Sequence, residues 1–421
     1  MTSSTEFSVA DLSALEILDS RGNPTLRVAV KLASGVEGRA GVPSGASTGS
    51  REAVELRDGD PKRYGGKGVT RAVANVNGEL RDVLSSRSWT SLAEVDAAMI
   101  AADGTENKSR LGANAIVGAS MAVARALAGS GDLFRELTPA GVTPRFPVPH
   151  FNVLNGGVHA PNSLDFQEFM IAPIGAPSLP EAVRAGAAVY GKLRGLLQAA
   201  GFATGLGDEG GFAPDISSPE DVLALIVKAI EAAGYPTGPT GVAIAVDPAA
   251  SEFYSDGAYH VAGETLTSSD MIERYAAIVA DYPVWSIEDG LAEGDWDGWV
   301  ALTARLRDTT QLVGDDIFVT NPAIITQAIE RKVGTSALIK LNQIGTVTET
   351  LEAMWLCREA GYTQMVSHRS GETPDDFIAD LTVATGCGQL KSGAPARGER
   401  VAKYNRLLEI AASNDLPFGL A

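Results

Sequence analysis

The chain has 421 residues, of which 45% are hydrophobic and 20% are charged, a composition typical of a soluble, folded protein rather than a disordered or fibrous one. Its formal net charge of -18 argues against a nucleic-acid partner, because phosphate backbones are bound by clustered Lys and Arg. An anionic substrate would still bind if metal ions and a few basic residues reversed the field inside a cleft. The length favours two domains, and it allows one of them to be a large α/β barrel.

The cysteine content and the N-terminal segment bear on where the protein works. Cys357 and Cys387 each lie in an apolar stretch, so the sequence supports neither a disulfide framework nor a cysteine-based zinc site. The first seven residues contain no basic segment leading into an apolar run, and the chain has no apolar stretch of about 18 residues or more. We therefore expect a cytoplasmic protein without an export signal or a membrane span.

The first third of the chain has the pattern of a small mixed domain. Strands are predicted over residues 10–18, 25–32 and 36–41, and helical stretches follow, including residues 111–127. A run of strands followed by a run of helices indicates an α+β domain. A proline-rich stretch then begins at residue 138, and it marks the predicted crossing into a second domain.

We place the domain boundary near residue 140, which divides the chain into residues 1–140 and 141–421. Beyond the boundary, short apolar strands alternate with amphipathic helices, a pattern that predicts parallel βα units. The predicted strands span residues 242–246, 284–287, 311–313, 337–339, 364–367 and 388–390. This many units favour a closed barrel over an open sheet. The predicted fold class is therefore α/β, with a C-terminal TIM-like β/α barrel preceded by a smaller α+β domain.

A residue able to do chemistry stands at the carboxyl end of each of these strands. The six are Asp247, Glu288, Asp315, Lys340, His368 and Lys391. Their intervals of 41, 27, 25, 28 and 23 residues fit a strand, a helix and two loops. Barrel active sites form at the carboxyl ends of the strands, so the six side chains are expected to converge on one mouth. Any single one has an equally good interpretation as a solvated loop residue or a helix cap, but a series of six does not.

Three of these residues predict a metal site. Asp247, Glu288 and Asp315 offer hard oxygen ligands, and they would repel one another unless a cation lay between them. Because the chain has few histidines and cysteines, Mg²⁺ is the favoured ion. A lysine beside such a site can lose its proton near neutral pH, since the cation and partial burial disfavour the ammonium form. Lys340 is thus a candidate general base.

A glycine-rich segment, GLGDEG at residues 205–210, formally matches the dinucleotide fingerprint G-x-G-x-x-G. The following residues, GFAP at 211–214, cannot continue promptly into a helix, so we reject a dinucleotide site. The chain has no G-x-x-x-x-G-K-[ST] motif, which excludes a P-loop. The segment is better interpreted as a flexible loop that presents Asp208 and Glu209 to the barrel mouth, although a plain turn would be the commoner outcome for such a loop.

Three further segments have ordinary structural interpretations when each is taken alone. SGASTG at residues 44–49 would be a linker, NGGVH at residues 155–159 a tight turn, and Gln167 with Glu168 the edge of a strand. The first of these is also rich in hydroxyl groups and flexible enough to close over a ligand.

Taken together, these motifs resemble the enolase family from residue 18 almost to the C-terminus. The longest signatures are VPSGASTG at residues 42–49, GDEGGF at 207–212, KLNQIGT at 340–346 and SHRSGET at 367–373. So many matches in the same order exclude chance.

The resemblance implies two Mg²⁺ ions and an acid/base pair. The tight ion would be held by Asp247, Glu288 and Asp315. Ser47, on the first-domain loop, would join a second ion that arrives with the substrate. Lys340 would take the C2 proton, and Glu209 would protonate the departing C3 hydroxyl. The enolase superfamily is itself the established example of a Lys or His base that works with Mg²⁺.

The resemblance also implies roles for the residues around this pair. Glu168 would support Glu209, and His159 would close over the site. The substrate would be held by Gln167, His368, Arg369, Ser370 and Lys391. The implied activity is the reversible dehydration of 2-phospho-D-glycerate to phosphoenolpyruvate in glycolysis and gluconeogenesis. A homodimer or an octamer is the implied assembly.

The sequence departs from the usual family pattern at residues 374–377, at residues 150–151 and in a shorter connection over residues 128–147. These departures leave room for a specialised paralogue that dehydrates a phosphonate-like or carboxylated analogue. A non-catalytic binding protein is a further alternative, which the retained acid/base and metal residues argue against because a scaffold needs none of them.

Overall fold

The computed structural model describes residues 6–420. Residues 1–5 and Ala421 lie outside this range, so most of the N-terminal segment for which no export signal is expected lies outside the described residues. The strands are β1 Phe7–Leu18, β2 Pro24–Leu32, β3 Glu37–Gly41, β4 Ser88–Trp89, β5 Val148–Asn155, β6 Glu168–Ala172, β7 Ala243–Asp247, β8 Tyr254–Ser255, β9 Ala258–Val261, β10 Glu264–Leu266, β11 Val284–Glu288, β12 Gln311–Gly314, β13 Ser336–Ile339, β14 Thr363–Ser367 and β15 Gln389–Lys391.

The α-helices are α1 Thr70–Asn75, α2 Arg81–Ser85, α3 Leu92–Asp103, α4 Ala113–Ala128, α5 Leu133–Leu137, α6 Leu179–Ala199, α7 Pro219–Ala232, α8 Ser268–Asp281, α9 Trp296–Leu306, α10 Pro322–Arg331, α11 Leu341–Ile344, α12 Val347–Glu359, α13 Phe377–Thr385 and α14 Gly398–Ser413. Among the helices of residues 6–420, none combines the length and the apolar character needed to cross a membrane.

The N-terminal part is an antiparallel sheet in the order β3-β2-β1-β4, covered by helices. Alternate residues of β2 are buried, as expected for a strand with one face on a core. The buried helix α4 packs on this sheet so closely that a Cβ atom added at Gly38 would lie 2.0 Å from the carbonyl oxygen of Ala122. The three strands and the long helix predicted for this part are confirmed, with shifts of a few residues at their ends.

The C-terminal part is a closed barrel in the strand order β11-β12-β13-β14-β15-β5-β6-β7, and the predicted α/β barrel is confirmed. All six strands predicted from the apolar pattern belong to it. The expectation of a wholly parallel barrel is wrong, because β6 runs antiparallel to both of its neighbours, β5 and β7. The connection from β5 to β6 spans residues 156–167 and contains only one short 3₁₀ turn, so it returns the chain as a hairpin. A parallel crossover usually contains a whole helix.

The reversed strand has a consequence for the barrel mouth. Because β6 runs in the opposite direction, its first residue lies at the end of the barrel where the parallel strands finish. Glu168 pairs in register with Asp247, the last residue of β7, and with Asn155, the last residue of β5. The start of β6 therefore supplies a carboxylate to the same mouth as the ends of the parallel strands.

Candidate active site

One pocket at the barrel mouth is lined by nearly all of the residues predicted from the sequence. Its lining residues are Ser47, His159, Gln167, Glu168, Glu209, Asp247, Asp315, Lys340, Ser367, His368, Arg369, Ser370 and Lys391. Of these, only Ser367 was not predicted. Two predicted residues are missing from the lining: Glu288, which lies buried beside Lys391, and Asp208, whose neighbour Glu209 is the residue of that loop that lines the pocket.

Lys391 joins three carboxylates in the pocket. Its Nζ atom lies 3.1 Å from Oε2 of Glu168, 3.1 Å from Oδ2 of Asp247 and 2.8 Å from Oε1 of Glu288. Burial alone would lower the pKa of Lys391, but these carboxylates outweigh burial and raise it well above its usual value. Lys391 is therefore a fixed positive charge on the floor of the site.

Lys340 contacts the third carboxylate that was predicted as a metal ligand. Its Nζ atom donates to Oδ2 of Asp315, whose Oδ1 accepts a hydrogen bond of 2.8 Å from the Gln343 amide. Thr320 completes the arrangement, since its Oγ1 accepts from the Lys340 main-chain N–H and donates to Gln343. Burial lowers the pKa of Lys340, but the Asp315 charge more than compensates, so the net pKa is raised. Lys340 is protonated in this arrangement.

Glu209 has a different kind of environment, in which an amide and two histidine rings are the nearest groups. Its Oε2 accepts 2.9 Å from the Asn152 side-chain amide and lies 3.2 Å from Nε2 of His368, while its Oε1 lies 3.8 Å from Nδ1 of His159. Burial would raise the pKa of Glu209, but His368, His159 and the Arg400 charge hold it well below its usual value. Burial lowers the pKa of His368 to about 3, so its ring is neutral at physiological pH.

The loop that carries Ser47 is tied to the barrel by Arg369. This buried arginine donates to both carboxylate oxygens of Glu52, at 2.9 and 3.1 Å, and to the main-chain carbonyl of Ser47 at 3.2 Å. The main chains of Ser44 and Gly371 also exchange hydrogen bonds of 2.7 and 2.8 Å. The N-terminal part of the chain therefore forms one wall of the pocket, as the sequence led us to expect.

The donor chemistry of the pocket fits a hard divalent cation. Oε2 of Glu288 is buried and has no hydrogen-bond partner in residues 6–420, and burial together with the Asp247 charge raises the pKa of Glu288 well above its usual value. A bound cation would offset the repulsion among the carboxylates and would also give the unpartnered oxygen of Glu288 a ligand bond.

The distances do not single out the predicted ligand set. Within residues 6–420, the acidic and histidine side chains whose ligand atoms lie within 4.8 Å of one another form two groups. One group is His159, Glu168 and Glu209, and the other is Asp289, Asp315 and Asp316. Of the three predicted carboxylate ligands, only Asp315 belongs to either group. Asp247 and Glu288 both contact Nζ of Lys391 instead.

The sequence reasoning gave no role to several residues that hold the site together. Gln343 lies three residues after Lys340 on the short helix α11, and that spacing was a readable signal. The sequence contains no signal for the role of Asp289. Its two carboxylate oxygens accept 2.9 Å hydrogen bonds from the main-chain N–H groups of Asp315 and Asp316. Arg400 gave no signal either, because a charged residue on a helix usually faces water.

Asp375 and His150, which belong to the departures from the family pattern, are not among the residues that line the pocket. Asp375 accepts from the main-chain N–H of Gly41 and from Arg125, so it links the barrel to the N-terminal sheet and to α4. His150 is buried inside the barrel with its ring 5.5 Å from that of Trp285, and burial lowers its pKa to about 4. Neither residue lines the pocket.

A closed β/α barrel whose mouth holds clustered buried carboxylates, two buried lysines and neutral histidines defines an enzyme for acid/base chemistry on a small anionic substrate. Residues 9–135 match the family described as Enolase, N-terminal domain, and residues 143–415 match Enolase, C-terminal TIM barrel domain. The chain is also 58% identical to a protein named Enolase from Rubrobacter xylanophilus, over 402 residues that cover 94% of this chain and 93% of that protein. The chain belongs to the enolase family, and it is a lyase.

Proposed function

We propose that this protein catalyses the Mg²⁺-dependent, reversible dehydration of 2-phospho-D-glycerate to phosphoenolpyruvate. The observation that carries the proposal is that a buried lysine, Lys340, and a buried carboxyl group, Glu209, line one pocket together with clustered carboxylates. A base and an acid in one enclosed site are what removal of a proton and a hydroxyl group from adjacent carbons requires.

Lys340 is the base of the proposed reaction. A proton on C2 is weakly acidic, because its removal places a second negative charge next to the substrate carboxylate. When bound, Mg²⁺ would neutralise the carboxylate cluster and stabilise the charge that develops on the substrate. Asp247, Glu288 and Asp315 would hold the tight ion, and Ser47 would contribute to a second. The raised pKa of Lys340 depends on the Asp315 charge, so neutralising that charge favours the neutral amine that takes the proton.

Glu209 is the acid of the proposed reaction, and Glu168 and His159 support it. Hydroxide is a poor leaving group, so Glu209 must give a proton to the departing C3 oxygen. In the structure, Lys340 is held protonated and Glu209 ionised. Those are the protonation states required for the reverse reaction, in which Glu209 takes a proton from water and Lys340 gives one to C2. The forward direction requires both states to change when substrate and ions bind.

The substrate's anionic groups are assigned to the basic and polar side chains of the pocket. Lys391 and Arg369 supply fixed positive charge, while His368, Ser370 and Gln167 supply hydrogen bonds. All five line the pocket, which is the support for this assignment. An acidic protein would bind this anion because bound Mg²⁺ ions together with these basic side chains would reverse the field inside the cleft.

Our proposals for the wider properties of the protein are supported by family membership rather than by the site. The chain divides near residue 140 into an N-terminal α+β domain and a C-terminal catalytic barrel. It works in the cytoplasm as a homo-oligomer, a dimer or an octamer. Sedimentation equilibrium of the purified protein would distinguish these assemblies, and a monomer at micromolar concentration would contradict the oligomer.

The decisive test follows phosphoenolpyruvate absorbance after 2-phospho-D-glycerate is added, with Mg²⁺ and with excess chelator. We expect turnover that chelator abolishes and added Mg²⁺ restores. A protein that is folded but inactive in saturating Mg²⁺ would overturn the proposal. Phosphonate-like and carboxylated analogues belong in the same assay, since a preference for one of them would indicate the specialised paralogue. Neither Asp375 nor His150 lines the pocket, which argues for the ordinary substrate.

A further inference from the structure

Arg400, on helix α14, is a buried charge whose role is not explained by an ion pair. Its exposed fraction is 0%, and the nearest carboxylate oxygen within the described residues, on Glu399, lies 3.6 Å from its Nε atom. Instead, its guanidinium donates to the main-chain carbonyls of Arg369, Ser370 and Asp208 at 2.5, 2.6 and 3.1 Å. Burying a guanidinium charge costs free energy, because the charge loses its hydration. A buried arginine with several directed hydrogen bonds therefore indicates a role for the fixed geometry of its guanidinium group.

One contact of Arg400 has a chemical consequence. Its Nη1 atom lies 2.5 Å from Nδ1 of His368. A guanidinium group has only donors, so Nδ1 of His368 must be the acceptor and cannot carry a hydrogen. Because the ring of His368 is neutral, its single hydrogen must then be on Nε2.

The other ring nitrogen of His368 points toward the proposed acid. Nε2 lies 3.2 Å from Oε2 of Glu209, although it forms no aligned hydrogen bond with any group in residues 6–420. The same Oε2 accepts from Asn152, which leaves Oε1 as the oxygen able to exchange a proton with the substrate. With the hydrogen on Nδ1 instead, the lone pair of Nε2 would face the carboxylate and repel it.

We propose that Arg400 is a positioning residue that fixes His368 in its Nε2–H tautomer and so directs a hydrogen-bond donor at Glu209. The packing around the arginine serves this arrangement. Gly393 has a φ of +76°, and a Cβ atom there would lie 2.7 Å from the Glu209 carbonyl oxygen and 2.8 Å from Cδ of Arg400. The glycine therefore leaves the space through which Arg400 approaches the loop of Glu209. The inference rests on the proposed roles of Glu209 and His368.

The tautomer can be measured without any activity. The chain has four histidines, so the ¹⁵N signals of His368 in histidine-labelled, ligand-free protein can be assigned by comparison with a His368→Gln spectrum. We expect a protonated Nε2 and an unprotonated Nδ1 in the wild type. In Arg400→Met, we expect the two ¹⁵N shifts to move toward those of a tautomer mixture.

Arg397→Met is the matched control. Arg397 is also an arginine at the start of α14, and it donates to main-chain carbonyls of Gly207 and Ser20 without touching His368. Its replacement should loosen the same loop yet leave the His368 tautomer unchanged. An unchanged tautomer in folded Arg400→Met, or an equal change in both variants, would overturn the proposal.

Kinetics supply a second readout. Arg400→Met should lower kcat by about 10- to 100-fold with little change in KM, because the altered hydrogen bond concerns the chemical step. In a His368→Gln background, the same substitution should cost far less, since its target is gone. If the kcat loss of the double variant equalled the product of the two single-variant losses, Arg400 would not act through His368.

Arg400→Lys covers the case in which the methionine variant fails to fold. Lysine keeps a buried cationic donor at this position, so we expect the Nε2–H tautomer of His368 to persist. We also expect kcat to fall less than in a folded variant whose residue 400 has no hydrogen-bond donor. A preserved tautomer together with a kcat loss as large as that of His368→Gln would overturn the proposal. Failure of the proposed function itself would look different, because the wild type would then be inactive while its tautomer remained as described.

Discussion

The mouth of the barrel contains two clusters that solve the problem of buried charge differently. The lysine cluster consists of Asp247, Glu288, Asp315, Lys340 and Lys391, and its carboxylates are balanced by ammonium groups at close range. The histidine cluster consists of His159, Glu168, Glu209 and His368, where neutral rings and an amide surround Glu209. In the lysine cluster, the interactions are mainly between formal charges. In the histidine cluster, the interactions depend on which ring nitrogens carry hydrogens.

The two clusters also differ in how the chain builds them. Every member of the lysine cluster is the last residue of a parallel barrel strand or follows it directly. The histidine cluster combines one such residue, His368, with two loops and with Glu168 at the start of the reversed strand β6. The regular part of the barrel thus positions the proposed base and the proposed metal carboxylates, while irregular segments position the proposed acid. Substitutions in one cluster should therefore leave the task of the other cluster unchanged.

Lys340→Ala should remove the base and leave the acid cluster intact. We expect kcat for phosphoenolpyruvate formation to fall by about 10³-fold or more, because positioned acid/base groups contribute about 10²- to 10⁴-fold. Exchange of the C2 proton of 2-phospho-D-glycerate with deuterated solvent, followed by NMR, should stop as well. Lys192→Ala, at an exposed position on α6, is the control and should keep both activities. Exchange at the wild-type rate in Lys340→Ala would assign the base to another residue.

Glu209→Gln should block loss of the hydroxyl group and spare proton removal. Glutamine keeps the shape and the hydrogen bond from Asn152 but has no proton to give, so we expect a loss of about 10²-fold or more in turnover. The C2 proton should still exchange with solvent, since Lys340 is unaffected. Asp208→Asn changes the neighbouring charge on the same loop and should cost much less. If exchange and turnover fell together in Glu209→Gln, the two clusters would not have separate tasks.

Ser47→Ala tests the contribution of the N-terminal loop to the lysine cluster. Ser47 lines the pocket, and we assign its hydroxyl to the second ion. The variant should require about tenfold more Mg²⁺ for half-maximal activity, an effect on the scale of losing one supporting ligand. A titration of activity with Mg²⁺ measures this change, and Ser50→Ala, at an exposed position on the same loop, is the control. Identical Mg²⁺ dependence in wild type and Ser47→Ala would remove Ser47 from the metal site.

The pH dependence of stability should report on the histidine cluster. The pKa of His368 is about 3 in the folded protein and about 6.5 in an unfolded chain, so below pH 6.5 only the unfolded state takes up this proton. The contribution of His368 is therefore fully present above pH 6.5 and is lost progressively as the pH falls toward 3. Between pH 8 and pH 5, the free energy of unfolding should fall by about 2 kcal/mol through this group.

His368→Gln should remove that part of the pH dependence, as measured by urea unfolding at pH 8 and pH 5. His260→Gln replaces a histidine at an exposed position and is the matched control, since it leaves the buried ring in place. If wild type and His368→Gln lose the same stability between the two pH values, the ring of His368 is already protonated in the folded protein. In that case the description of the histidine cluster as neutral is wrong.

The sequence by itself determined the barrel and the members of the lysine cluster. Short apolar strands recur at a regular interval, and each is followed by a side chain able to do chemistry, such as Asp247 or Lys340, in a series that single structural roles do not explain. Parallel strands of one barrel must end at one mouth, so spacing alone predicts convergence. Glu209 and Glu168 were assigned through family resemblance, because a loop and a strand start have no periodic signal.

Only the tertiary structure decided the direction of β6 and the environment of the acid. Whether residues 148–155 and 168–172 run parallel or antiparallel depends on how the intervening loop closes, which apolar patterns do not record. Asn152, Asp289 and Arg400 act through contacts with residues far away in the sequence, and Arg400 reaches the site from a helix that begins after the last strand. Periodicity reports which side of an element is buried, whereas hydrogen-bond partners are set by packing between distant segments. The strand ends therefore predicted where the chemistry is located, and the packing decided which atom carries each proton.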